Sequence, residues 1–351
     1  MAYTTIKKPS DYFNTKLYSG NGTAIGSGGN AITGVGFQPD WTWIKNRSIT
    51  ANHHVFDVVR GATKYIITNS TNAEATDAQQ LQSFDSDGFT VGTNGNVNGS
   101  GNNIVAWNWL ADNTSGSSNT DGSITSTVSA NTTSGFSIVK YTGTGSNATV
   151  GHGLGSAPKF IILKTIDAAR DWNVYHGGIS NMASGYIILN ATDAFSTAFS
   201  TIWNNTDPTS SVFSVGTANT SNNLNSNYIA YCFAEKKGFS KFGSYTGNGN
   251  ADGTFVYTGF KPAFVIQKRT DALDIWRMFD NKREGYNVDN NAVAPNSSGA
   301  EGTGDFIDLL SNGFKFRSTD DDVNGSGGSY IYIAFAENPL VGTNNIPATA
   351  R

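Results

Sequence analysis

The sequence repeats itself at a distance of about one hundred residues, and that period limits the fold more than any single motif does. The turn phrase Tyr141-Thr142-Gly143-Thr144-Gly145 returns as Tyr245-Thr246-Gly247-Asn248-Gly249. Pro158, ahead of Phe160-Ile161-Ile162-Leu163-Lys164, returns as Pro262 ahead of Phe264-Val265-Ile266-Gln267-Lys268. Both pairs, and Ala230 with Ala334 in two aromatic closing phrases, are 104 residues apart. A looser first copy carries Tyr18, Pro39 and Ala106, which precede their counterparts by 123, 119 and 124 residues. One shared offset implies no net insertion between the second and third copies. The uneven offsets give the first copy small insertions and deletions and a longer exit linker. Solenoid and propeller repeats run about 20–50 residues, so a period this long suits a complete small domain. The chain divides into an arm (1–14), repeat one (15–111), a Ser/Thr/Asn-rich connector (112–135), repeat two (136–237), repeat three (238–338) and a tail (339–351).

Each copy orders its signals alike: a Tyr-Gly-x-Gly turn, a proline-initiated strand, and strands around Trp172 or Trp276 and around Tyr186 or Tyr286. A Phe strand (Phe213, Phe314) and an aromatic closing strand follow. Short strands between Gly, Asn and Pro, with no alternating helices, predict an all-β chain of three tandem homologous antiparallel β-sandwiches of jelly-roll or lectin type. Proline at a strand start interrupts no ladder. Residues 73–81 lack a clear 3.6 period and stand as either a short helix or an irregular loop. Ile124-Thr125-Ser126-Thr127-Val128, four β-branched residues in five, hints at a strand added to repeat two. Both faces of Tyr228–Phe233 are apolar, which predicts a central strand covered on both sides, the second cover coming from a neighbouring copy.

Composition narrows the functional classes. Charged residues are 14% and the formal net charge is −4, so nothing attracts nucleic acid or an anionic membrane. Aromatics at 12% can bury a core, which argues against disorder. The single Cys232 sits among apolar neighbours and reads as a buried thiol, so no disulfide staples the fold. No apolar run follows Met1, which predicts neither a secretion signal nor a membrane span.

The candidate chemistry is sparse. His53, His54, His152 and His176 form no ligand pairing, so neither a metal nor any other cofactor is expected. Gly20-Asn21-Gly22 and Gly247-Asn248-Gly249 lack the Lys-Ser/Thr of a phosphate loop and read as hairpin turns. The acidic runs at Asp85–Asp87 and Asp320–Asp322 miss the EF-hand pattern and read as solvated turns, with calcium the lesser alternative. Glu235 and Glu337 recur at one strand-end position and make no catalytic pair of the glycosidase kind. No enzyme is expected. Trp172, Trp203 and Trp276 are the candidates for stacking on a sugar. Trp172 and Trp276 recur and so favour core packing, whereas Trp203 has no counterpart and is the better surface candidate. The arm (1–14) is expected to be the attachment element: it carries Tyr3, Ile6, Tyr12 and Phe13, which are left in water unless they dock on a neighbour, the alternative being that Tyr12 and Phe13 merely begin the first strand.

The phrases Gly34-Val35-Gly36-Phe37-Gln38-Pro39-Asp40-Trp41, His152-Gly153-Leu154-Gly155-Ser156-Ala157-Pro158-Lys159, Tyr231-Cys232-Phe233-Ala234-Glu235 and Gly238-Phe239-Ser240-Lys241-Phe242-Gly243 resemble uncharacterised virion proteins of marine tailed bacteriophages. The likeness covers nearly the whole chain and brings no catalytic motif with it. It implies a non-catalytic virion component, made in the host cytoplasm, with other virion proteins as partners. A tail fibre or spike binding host-surface glycan through its loops is the first expectation; a capsid decoration or head-fibre protein is the alternative. The resemblance also implies a homo-oligomer, with a trimer favoured. A high aromatic content with few charges, hard to hide in three small sandwiches, points the same way.

Overall fold

A computed structural model of the chain describes residues 3–284, 287–341 and 347–349. Tyr286, the predicted centre of a strand, and most of the tail lie outside them. The described residues are almost entirely strands joined by turns, with two one-turn helices and three 3-10 turns. Among them, no helix is long and apolar enough to cross a membrane.

Three main sheets share one strand order: opening, closing, proline and short strand. In the first segment these are Phe13–Ser19, Asn103–Trp109, Trp41–Asn46 and His53–Asp57. In the second they are Phe136–Thr142, Asn227–Phe233, Phe160–Thr165 and Asn173–His176, and in the third Ser240–Thr246, Ser329–Pro339, Phe260–Arg269 and Arg277–Asp280. All pairs are antiparallel. The connector adds Ser117–Asn119 and Ser126–Asn131 to the edge of the second sheet. Residues 73–81 hold no helix. Ala75–Thr76 pairs with Lys64–Ile67, and a turn leads into the strand Leu81–Asp85. A smaller sheet covers each main sheet, with three strands in the first segment, two in the second and four in the third.

Register corrects the repeat at two points. Phe233 pairs with Phe160 and Phe335 with Phe264, so the closing strands correspond at an offset of 102, not 104. Ala230 and Ala334 are therefore not equivalent, and the loops between absorb the difference. Pro39 and Pro158 precede their strands as expected. Pro262 instead lies inside its strand, at a register shift between Lys261 and Phe264 where its missing N–H is tolerated.

Each main sheet is apolar on both faces, because side chains alternate along a strand. Ile44, Phe56, Ile104 and Ala106 face the first smaller sheet; Trp41, Trp43, Trp107 and Trp109 point the other way, into a core shared by all three segments. The closing-strand rings of Trp109, Phe233 and Phe335 meet there, their centroids 5.6–6.4 Å apart. Trp41 stacks on Tyr231 at 4.5 Å. A fully buried ring of this size contributes roughly 1.5–3 kcal/mol.

Polar contacts repeat around this core and close a ring. The backbone N–H of Glu74 donates to Ile166, that of Phe195 to Thr270 and that of Glu301 to Arg47, linking first to second, second to third and third to first. The buried ammonium groups of Lys164, Lys268 and Lys45, at matching positions of their proline strands, donate across the same boundaries to the carbonyls of Thr71, Thr192 and Ser298. Burial pulls each of these lysines down to about 8. Trp172 and Trp276 donate across two boundaries, to the carbonyls of Ile67 and Ile188, each at 2.9 Å.

Candidate functional site

The Tyr-Gly-x-Gly phrases are not the hairpin turns expected: each leads from an opening strand of a main sheet to a strand of the smaller sheet, and each is held by one buried asparagine. Asn98, Asn222 and Asn324 accept from the backbone N–H groups of Asn21, Thr144 and Asn248 through their side-chain oxygens. Gly22, Gly145 and Gly249 adopt φ near +70° there, which a side chain would strain. The acidic runs have protein partners: Asp87 accepts from Gly34 and Gly36, Asp322 pairs with Arg277, and Asp321 lies 3.6 Å from Arg269. Glu235 accepts from the Phe242 N–H, and Glu337 lies 3.6 Å from Lys261. All four histidines are buried. His53 accepts from Trp43 Nε1, His54 meets Gln80, His152 accepts from Leu154, and His176 meets the Tyr332 carbonyl. Among the described residues no group of three or more metal-ligating side chains gathers. Burial drives the Cys232 thiol well above its ordinary value.

None of the three tryptophans offers a ring to a sugar. Trp172 and Trp276 join the segments, and Trp203, also 1% exposed, fills the second sandwich edge-on to Tyr175 at 5.7 Å. Lack of a counterpart marked Trp203 as different, but the difference lies inside the core: two covering strands leave more volume to fill than three or four. The arm docks on its own chain. Ile6 and Phe13 are buried, Phe13 begins the first opening strand and stacks on Phe335 at 5.2 Å, and Tyr12 packs beside Phe239. Tyr3 donates to the Gly259 carbonyl and lies under the Lys237 ammonium.

A recess that follows from a break in the repeat lies in the second segment. At the start of the short strands, on the face toward the smaller sheet, the three segments carry His54, Asn173 and Arg277. Long side chains fill this place twice: His54 stacks on Tyr65 at 4.9 Å, and Arg277 reaches Asp322 and lies over Phe306 at 5.2 Å. Asn173 is short, and its smaller sheet has two strands. A groove of about 420 Å³ remains. Ile188 and Ile202 form an apolar floor, and Tyr186 and Phe199 form an aromatic wall with ring centroids 5.8 Å apart. Phe199 packs its ring against Tyr186 yet remains 60% exposed, which is unusual for a phenylalanine. Asp171, Asp193 and Asn219 line the rim. Asn173 donates to the Thr220 carbonyl, while its buried Oδ1 has no hydrogen-bond partner. Asn190 donates to Asp171 and holds it in place.

Apolar floor, open aromatic face and convergent polar rim suit a small ligand with one apolar face and many hydroxyls. The groove lies toward the turn end of the second sheet, since Asn173 pairs with Leu163, away from the Phe160–Phe233 end. The arm and both connectors leave from that opposite end, where Trp109, Phe233 and Phe335 meet.

The sequence model of one family, described as "Domain of unknown function (DUF7483)", matches residues 8–339. No curated protein and no solved structure matches the chain.

Proposed function

Since the chain belongs to the DUF7483 family, whose description assigns no activity, we propose from the groove that it is a non-catalytic glycan-binding component of a bacteriophage particle. The observation that carries the binding role is the open recess beside Phe199, where the second segment carries Asn173 in place of the longer side chains of its neighbours. A solvated phenyl face covers the C–H face of a pyranose, and the rim oxygens accept its hydroxyls. The particle setting rests on the resemblance of the proline and closing phrases to tailed-phage virion proteins. A tail fibre or spike suits the polarity of the fold, with chain connections at one end and groove and turns toward the other. Host-surface polysaccharide is the expected ligand, and other virion proteins meet the connection end.

Binding of the purified chain to a panel of bacterial surface polysaccharides tests this reading. At least one should bind, Phe199→Ala should abolish that binding, and no reducing ends should be released. Binding to none, or release of sugar, contradicts it.

A further inference from the structure

We infer that the groove selects uncharged hexoses and rejects uronic and other acidic sugars, an inference that rests on the glycan-binding reading above. The lining includes two carboxylates, Asp171 and Asp193, and contains no lysine or arginine. One oxygen of Asp171 is taken by Asn190, which fixes the carboxylate while the other oxygen remains for a ligand. The buried cations that interact with these carboxylates are committed elsewhere. Lys164 acts on Asp171, and Lys268 on Asp193, only through space. Their ammonium groups donate to the carbonyls of Thr71 and Arg170, and of Thr192 and Arg269, and cannot turn into the groove without breaking the ring of segments.

The groove therefore asks for donors. Hydroxyls of a neutral pyranose satisfy the carboxylates with charge-assisted hydrogen bonds, while the sugar's C–H face covers Phe199. A sugar carboxylate in the same pose meets two like charges and no cation, which costs affinity whatever its other contacts. Asn173 decides whether there is a groove at all. Restoring the histidine or arginine of the flanking segments should fill it, as His54 and Arg277 fill theirs.

The test is titration of the intact chain with methyl glycosides of glucose, galactose and mannose, and with glucuronate and galacturonate, followed by ligand-observed NMR. At least one neutral glycoside should bind at least tenfold more tightly than either uronate. Asp171→Asn with Asp193→Asn should raise uronate affinity at least tenfold. Asn173→His should abolish neutral-sugar binding at unchanged melting temperature. Should that variant misfold, Phe199→Ala, altered at an exposed ring, must abolish the same binding. Uronate bound as tightly as hexose, and lost in Phe199→Ala, overturns the selectivity and leaves the glycan reading standing. Binding of none of the sugars overturns both.

Discussion

At the residue scale, buried ionisable groups give the chain a defined acid response. His54 and His176 are both pulled down to about 4 by burial, so the folded chain keeps them neutral while an unfolded chain protonates them near 6.5. The unfolded state then binds more protons between those values, and stability falls as pH drops from 6.5 toward 4. Full development of the effect is worth about 3 kcal/mol for each histidine. Asp40, raised to about 6 by burial despite accepting from Ala111 and Asn113, works in the opposite direction between its ordinary value and 6. His53 and His152, also lowered by burial, add to the two histidines, and together they outweigh Asp40 and Asp322, which burial raises, so urea midpoints should fall from pH 7 to pH 4.5. A flat profile that tilts downward only after both histidines are replaced would contradict the assignment. Trp203, buried beside Tyr175, carries a second expectation: Trp203→Ala should cost about 3–5 kcal/mol, where a surface ring would cost almost nothing.

At the scale of elements, the three segments solve one packing problem in two chemistries. Asp57–Arg60–Glu74 and Asp280–Arg283–Glu301 are buried ion clusters, completed by Tyr231 donating to Asp57 and Trp107 donating to Asp280. The second segment carries His176, Ile179 and Phe195 at the corresponding places, so all three charges are lost together. That agrees with the cost of leaving one buried charge alone. Arg60→Ala should destabilise by roughly 3–5 kcal/mol. Lys8→Ala, which removes only the exposed pair with Asp11, should change stability by less than about 0.5 kcal/mol. Chemical denaturation of the two variants compares them directly. The arm belongs with these elements: Ile6→Ala should cost about 2–5 kcal/mol, so loss of residues 1–10 would weaken the fold before it weakened any attachment.

Much of this was legible in the sequence. The prolines ahead of two strands and the two-faced closing strand Tyr228–Phe233 are local patterns with local causes, and the structure uses them as their chemistry suggests; the turn phrases bend the chain as read, but from one sheet to another and not within a hairpin. The closing strands were aligned two residues out because Tyr-Ile-Ala and Phe-Ala-Glu recur at different spacings, and pairing with Phe160 and Phe264 decides between them. The groove went unread because its signal is a missing side chain. Asn173 lies 104 residues before Arg277, so the comparison was available, but a short polar residue draws notice only once its long counterparts are seen to fill the same space. The exposure of Phe199 depends on how many strands cover the sheet, which no local pattern states.

At the scale of the whole molecule, the aromatic surplus that pointed to a homo-oligomer is buried within one chain. Trp41, Trp107, Phe233 and Phe335 cover one another between segments, so they no longer call for a second copy. Calorimetry should show one cooperative transition, because no segment keeps its inner face covered alone. Three separable transitions would contradict the shared core. The most direct test of the central claim is a crystal structure of the chain soaked in a saturating neutral hexose. It should show one sugar per chain, in the second segment, with its C–H face on Phe199 and hydroxyls on Asp171 and Asp193. An empty groove, or sugars at matching places in all three segments, would contradict it.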